Sequence, residues 1–335
     1  MREIKRIGVL GGGAWGTALA RLLDEGGRRV TLWARDAEVV ASINQQHANP
    51  AYLPEIELPP TLRATDMLPE LAAASDAVLL VVPAQQLRAI ASELAADLRP
   101  GTPVVICAKG IERGSYALMS EVLAEVLPES PLAVLSGPTF AIEVAQGMPT
   151  AVTIACADSE LGEHLVAAIG QQTFRPYLAD DLVGAQIGGA VKNVMAIACG
   201  VVEGRQLGDN ARAAVMTRGY AELARYGRAR GARLETLLGL SGLGDLTLTC
   251  NSDLSRNMSL GILLGEGRQI EDIMAERRSV AEGMFTVSAI VDHAHDLGVD
   301  MPIATAVDGV VNYKADIERT IDNLLARPFT TEYQP

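Results

Sequence analysis

Two patterns of apolar residues divide the chain. Up to about residue 180, short apolar runs alternate with segments whose apolar positions recur every three to four residues. The runs at 4–10, 29–34, 77–82, 103–108, 132–136 and 150–156 predict buried strands, and the spacing at 14–27, 85–98 and 115–127 predicts helices. That alternation is the signature of an α/β unit, a parallel sheet wound on both faces. Between Asn49 and Pro69 the pattern lapses. Pro50, Pro54, Pro59, Pro60 and Pro69 predict an irregular excursion there, a mobile loop near a site. After Asp181 the period is helical to the end, with long helices expected near 182–203 and 210–230. The expected organisation is a doubly wound domain over 1–185 and an all-helical domain over 186–335, with 327–335 as a surface extension.

Composition narrows the partners. Of the 335 residues 49% are hydrophobic but only 4% aromatic, so aliphatic side chains and alanine must fill the interior. A net charge of -13 argues against a nucleic-acid surface, which needs clustered positive charge. The densest basic cluster, Arg225, Arg228, Arg230 and Arg233, reads as a solvated helix end. No run of 18 uninterrupted apolar residues and no signal-peptide layout is found, so no transmembrane segment and a cytoplasmic location are expected. Cys107, Cys156, Cys199 and Cys250 sit in apolar surroundings without C-x-x-C spacing and read as buried free thiols. His47, His164, His293 and His295 are scattered, and no metal site can be argued from them.

The strongest local motif follows the first strand. Ile7-Gly8-Val9-Leu10 runs into Gly11-Gly12-Gly13-Ala14-Trp15-Gly16-Thr17, and the glycines at 11, 13 and 16 have the spacing of a dinucleotide turn. The helix behind them points its N–H groups and positive dipole end at a pyrophosphate. Arg35 lies 19 residues after Gly16, at the end of the second strand. A guanidinium there suits the 2′-phosphate of NADP, while neighbouring Asp36 keeps NAD open.

Polar residues in apolar settings supply the candidate chemistry. Lys109 closes the strand 103–108, at the edge where α/β sheets bind ligands, though a surface lysine would look the same. Lys192, beside Asn193, interrupts a helix apolar on nearly every face. It must snorkel outward or face a polar cavity, and burial would lower its pKa toward that of a general acid or base. Asp245 in Leu243-Gly244-Asp245-Leu246 is either a helix cap or a site carboxylate. Ser255-Arg256-Asn257 offers a hydroxyl, a guanidinium and an amide for a phosphate, or simply starts a helix. Ser136-Gly137-Pro138-Thr139 is a turn whose N–H groups could face a ligand.

Taken in order, these motifs closely resemble the bacterial NAD(P)-dependent sn-glycerol-3-phosphate dehydrogenases. The resemblance spans essentially the whole chain and rests also on Ala108-Lys109-Gly110-Ile111, Gly137-Pro138-Thr139-Phe140-Ala141-Ile142-Glu143 and Val191-Lys192-Asn193. It implies an N-terminal Rossmann-type domain and a helical substrate-binding domain. Beside the glycines Gly11, Gly13 and Gly16 of the turn, it places Ala14, Trp15, Arg35, Lys109, Ala141, Arg256, Val280 and Glu282 at cofactor positions; Arg35 makes NADP the preferred cofactor, with NAD allowed. It places Lys109, Gly137, Thr139, Lys192, Asp245, Ser255, Arg256 and Asn257 at substrate positions, with Lys192 as the catalytic proton-transfer residue. Positions 14 and 139 are often serine in that family; Ala14 leaves only a backbone contact, whereas Thr139 keeps the hydroxyl.

The implied reaction interconverts dihydroxyacetone phosphate and sn-glycerol 3-phosphate by hydride transfer. A homodimer is the default assembly. Two other readings compete. One is a hydroxyacid or 6-phosphogluconate dehydrogenase on the same architecture, and the other is a dinucleotide-sensing regulator without turnover.

Overall fold

The computed structural model describes residues 3–276, 281–329 and 331–332. Among them the strands are β1 (Arg6–Leu10), β2 (Arg29–Trp33), β3 (Ala48–Asn49), β4 (Leu53–Glu57), β5 (Arg63–Thr65), β6 (Ala77–Leu80), β7 (Val104–Ile106), β8 (Leu132–Ser136), β9 (Thr150–Cys156) and β10 (Phe174–Ala179). Helices α1 (Ala14–Glu25), α2 (Ala37–Gln46), α3 (Leu68–Ala74), α4 (Leu87–Ala95), α5 (Met119–Val126), α6 (Ala141–Ala145) and α7 (Ser159–Ile169) connect them. Eight strands form one sheet in the order β10-β9-β8-β7-β6-β1-β2-β5. Alternate residues of each central strand enter opposite cores: Ala77 and Leu79 on one face of β6, Val78 and Leu80 on the other.

The sheet differs from an all-parallel one at one end. β8 and β9 pair antiparallel, with Ser136 opposite Thr153, and β10 then follows β9 in parallel. The connection 137–149 stays at the C-terminal edge of β8, so the chain re-enters the sheet from that edge and must run backwards. β10 escaped the periodicity because Arg175, Tyr177 and Leu178 on this edge strand face solvent. The excursion 49–69 carries regular structure rather than being irregular throughout. It holds the β3–β4 hairpin and edge strand β5, and it sends Leu53, Ile56, Leu58 and Leu62 into the core.

Beyond Asp181 the described residues form helices only. They are α8 (Leu182–Gly204), α9 (Asp209–Ala229), α10 (Leu234–Leu238), α11 (Asp245–Cys250), α12 (Arg256–Gly265), α13 (Ile270–Glu276), α14 (Glu282–Asp296), α15 (Pro302–Tyr313) and α16 (Ile317–Leu325). A π-helical turn, Leu240–Gly244, leads into α11. By length and a hydropathy of 1.4, α8 could cross a membrane, yet 94% of that window is buried inside the fold. It is the axis of the helical unit.

α12 crosses α8 at backbone contact. A Cβ on Gly200 would stand 2.2 Å from the Met258 carbonyl, and one on Gly261 would stand 2.1 Å from that of Ile197. Of the arginine cluster, Arg228 is exposed in the last turn of α9 and fits a solvated helix end, whereas the other three are engaged. Arg225 donates to the Asp300 carbonyl, Arg230 pairs with Glu121 and the Tyr116 carbonyl, and Arg233 pairs with Asp180. Arg230 and Arg233 thereby pin helical elements to the sheet portion. The four cysteines are buried and free.

Candidate active site

The glycine turn sits where the strand order reverses, between β1 and β6, which is the crevice position in open α/β sheets. Its glycines do different jobs. Gly11 has φ +137, and a Cβ there would meet the Val81 carbonyl at 2.7 Å. A Cβ on Gly16 would fall 1.8 Å from the Gly11 carbonyl, so only glycine lets α1 start this close to β1. Around Gly13 a Cβ would meet nothing within 4 Å, so that face of the turn stands open.

Gly13 is also the N-cap of α1; no side chain caps it, and no acid occupies the first turn. Half-buried Ala14 and Trp15 open the helix. Exposed N–H groups and a positive helix end fit the pyrophosphate of a dinucleotide. Arg35 is exposed just beyond β2. Asp36 beside it accepts from the Glu38 N–H at 2.9 Å and caps α2, so its carboxylate already has a structural partner.

The second half of the site is a buried charge cluster. Asp245 is fully buried at the start of α11, and its two oxygens take one lysine each. Lys192 Nζ, on α8, donates to Oδ1 at 2.5 Å; Lys109 Nζ, just past β7, donates to Oδ2 at 2.6 Å. Lys109 also donates to the Gly137 carbonyl at 3.2 Å, and Lys192 to Thr249 Oγ1 at 2.9 Å. Asp245 is therefore no helix cap, and Lys192, 6% exposed, does not snorkel. Burial pushes Lys192 down to about 8 and the Lys109 charge adds to that fall, while Asp245 opposes it. Two cations share one carboxylate, an imbalance that favours an anionic ligand.

Paired glycines on α8 make this convergence possible. A Cβ on Gly189 would crowd Ser136 Oγ at 3.1 Å and the Lys109 stem at 3.2 Å; one on Gly188 would strike the Ser241 carbonyl at 2.2 Å. The sheet edge and the π-helical turn thus close on the helix one turn before Lys192. Neither glycine, nor Thr249, was singled out from sequence. Thr249 stands four residues after Asp245 on α11, the spacing that puts both on one helical face, and that was the available signal.

The other expected residues surround this cluster. Ser255 is buried and accepts from the Met258 N–H at 3.2 Å, capping α12, so the simple helix-start role holds at least for that bond. Arg256 is exposed on the first turn of α12. Buried Asn257 donates to Asn193 Oδ1 at 3.0 Å and accepts from the Gly283 N–H at 3.1 Å. Glu282 opens α14, and the Ala84 N–H favours its charged form. Burial raises its carboxyl, while the charges of Arg256, Lys109 and Lys192 hold it down. Ala84 follows β6 and also packs on Gly110, so the glycine turn and the lysine cluster lie along one edge of the sheet. Gly137 (φ +152), half-buried Thr139 and Ala141 line the same edge after β8. Val280 lies outside the described residues.

Comparison with known proteins identifies the family. Residues 6–162 match the model of the NAD-dependent glycerol-3-phosphate dehydrogenase N-terminus, and residues 181–322 match that of the C-terminus of the same family. The chain is 59% identical over 330 residues to a glycerol-3-phosphate dehydrogenase [NAD(P)+] of Rhodospirillum rubrum, covering 98% of this chain and 94% of the relative. It is 55% identical to that of Parvibaculum lavamentivorans, covering 98% of each. A crystal structure of glycerol-3-phosphate dehydrogenase from Coxiella burnetii superposes with a TM-score of 0.93 at 36% identity, over 96% of this chain and 99% of that one. The chain belongs to the NAD-dependent glycerol-3-phosphate dehydrogenase family.

Proposed function

We infer that this chain interconverts dihydroxyacetone phosphate and sn-glycerol 3-phosphate as an NAD(P)-dependent oxidoreductase, supplying the glycerol backbone for phospholipid synthesis. The observation that carries the inference is the buried Lys109–Asp245–Lys192 cluster, set on the sheet edge that bears the dinucleotide turn. In this reading Gly11, Gly13, Ala14, Trp15 and Gly16 hold the pyrophosphate end of the cofactor, and Ala141, Arg256 and Glu282 lie toward its other end. Arg35, whose neighbour Asp36 is engaged as a helix cap, supports a preference for NADP. When bound, the reduced nicotinamide supplies a hydride to C2 of the ketone.

The chain's own residues handle charge and position. Lys192 has three N–H donors, of which Asp245 and Thr249 take two; the third gives the proton to the developing C2 alkoxide. Lys109 likewise keeps a donor beyond Gly137 and Asp245 and stabilises the same oxygen. Asp245 fixes both ammonium groups. Arg256 and Asn257, at the start of α12, hold the substrate phosphate with Ser255, while Gly137 and Thr139 bound the pocket. The two units of this reading are 1–185 and 186–335, within a cytoplasmic homodimer.

The test is NADPH oxidation with dihydroxyacetone phosphate, run beside keto-acid substrates and the 6-phosphogluconate pair. Oxidation with the triose phosphate alone is expected. Turnover of a keto acid or the 6-phosphogluconate pair without turnover of the triose phosphate overturns the substrate assignment, and a bound dinucleotide with no turnover at all points to a sensor.

A further inference from the structure

Asn49 is fully buried, yet it belongs to the proline-rich excursion rather than to the sheet. Its amide nitrogen donates to the Gly12 carbonyl at 3.0 Å and to Thr17 Oγ1 at 2.8 Å. Its Oδ1 is buried with no hydrogen-bond partner. A buried acceptor without a partner is costly, so a residue that carries one calls for a reason beyond packing. Gly12 supplies it. The Gly12 carbonyl and the Gly13 N–H belong to one trans peptide, whose two polar groups point in opposite directions. Holding the carbonyl toward the buried Asn49 turns the Gly13 N–H away from the core. Among the described residues that N–H meets no acceptor within the chain, and Gly13 is the glycine with open space around it.

We propose that Asn49 is a positioning residue for the cofactor: by anchoring the Gly12 carbonyl it aims the Gly13 N–H at the pyrophosphate of NADP(H). The proposal rests on the Gly11–Gly16 turn being the dinucleotide site. Asparagine suits the task because its NH₂ offers two donors to two acceptors, whereas aspartate offers none at neutral pH. The β3–β4 excursion thereby becomes part of the cofactor site without touching the ligand. It sets the direction of one backbone donor.

The experiment measures NADPH Kd, NADPH KM, dihydroxyacetone phosphate KM, kcat and Tm in four variants of the full chain. Asn49→Ala is expected to raise NADPH Kd about tenfold, the worth of one hydrogen bond, with kcat at saturating NADPH and substrate KM within about twofold. Asn49→Ser, which keeps one donor, falls between it and the wild type and carries the same comparison if the alanine variant folds poorly. Thr17→Val removes the other acceptor and the long 3.5 Å bond from Thr17 Oγ1 to the Gly12 carbonyl, but leaves the 3.0 Å Asn49 bond to it; it should lower Tm and raise NADPH Kd clearly less than Asn49→Ala does.

An unchanged Kd in Asn49→Ala, or an equal rise in Thr17→Val, overturns the proposal. Gly13→Asp places a carboxylate where the pyrophosphate is read to lie. If it binds NADPH normally, the turn itself has been misassigned. If it abolishes binding while the Asn49 variants bind normally, only the role of Asn49 falls.

Discussion

Burial depresses Lys192 to about 8, and this sets which direction each pH favours. Below that value the ammonium can protonate a developing alkoxide; above it the neutral amine can take the proton from the alcohol. Accordingly kcat/KM for ketone reduction should fall as pH rises through about 8, and kcat/KM for alcohol oxidation should rise through the same point, as read from paired pH–rate profiles. Lys192→Ala should lower kcat by about 10²–10⁴ and erase that inflection in both profiles. At the other half of the site, Arg35→Ala should raise the NADPH KM by about tenfold to a hundredfold while moving the NADH KM little, the loss of a charge-assisted contact to the 2′-phosphate. These residues stood out in the sequence for a physical reason. A lysine on a helix apolar on nearly every face is out of place, and an arginine 19 residues after the glycine turn stands where the ribose of a dinucleotide is read. Thr249 and Asn49 did not stand out, because a lone hydroxyl or amide is common in any stretch.

Helices and strands were legible wherever the apolar period was strong, as for β1, β6, β7 and α8, which are buried on all sides. Legibility failed at edges. β5 is three residues long, and β10 exposes half its side chains, so neither presents a continuous apolar run. The close crossing of α8 and α12 was also hidden, since a glycine in a helix is ambiguous until its neighbour is known. Gly200 and Gly204 face Gly261 and Gly265, and a Cβ on any of the four would stand 2.1–2.7 Å from a carbonyl oxygen of the other helix, so there is no room for a methyl group. Gly200→Ala should therefore destabilise the protein by at least about 2 kcal/mol, seen as a lower denaturation midpoint, because backbone cannot move aside as a side chain can.

Across the whole molecule, α15 owes its start to a distant helix. Glu222 on α9 is 1% exposed and accepts from the Ile303 and Ala304 N–H groups at 2.7 and 3.1 Å, where α15 has no side-chain cap of its own. Burial raises this carboxyl from 4.5 to about 7, outweighing the two N–H bonds that favour its charge. The folded chain therefore holds that proton more tightly than the unfolded one. Its contribution is complete below about 4.5 and is lost as pH rises through 7. Glu222→Gln should remove on the order of 3 kcal/mol of that pH dependence, measured as the difference in unfolding free energy between wild type and variant across the range. The sequence by itself determined the period of each buried element, the glycine turn and the change from sheet to helices, because all of these are local and short-ranged. Tertiary structure alone decided that Lys109 and Lys192 share one carboxylate, 136 and 53 residues away along the chain. Contacts at that separation leave no periodic trace. They follow from strand order and from the glycines that let α8 close against the sheet edge.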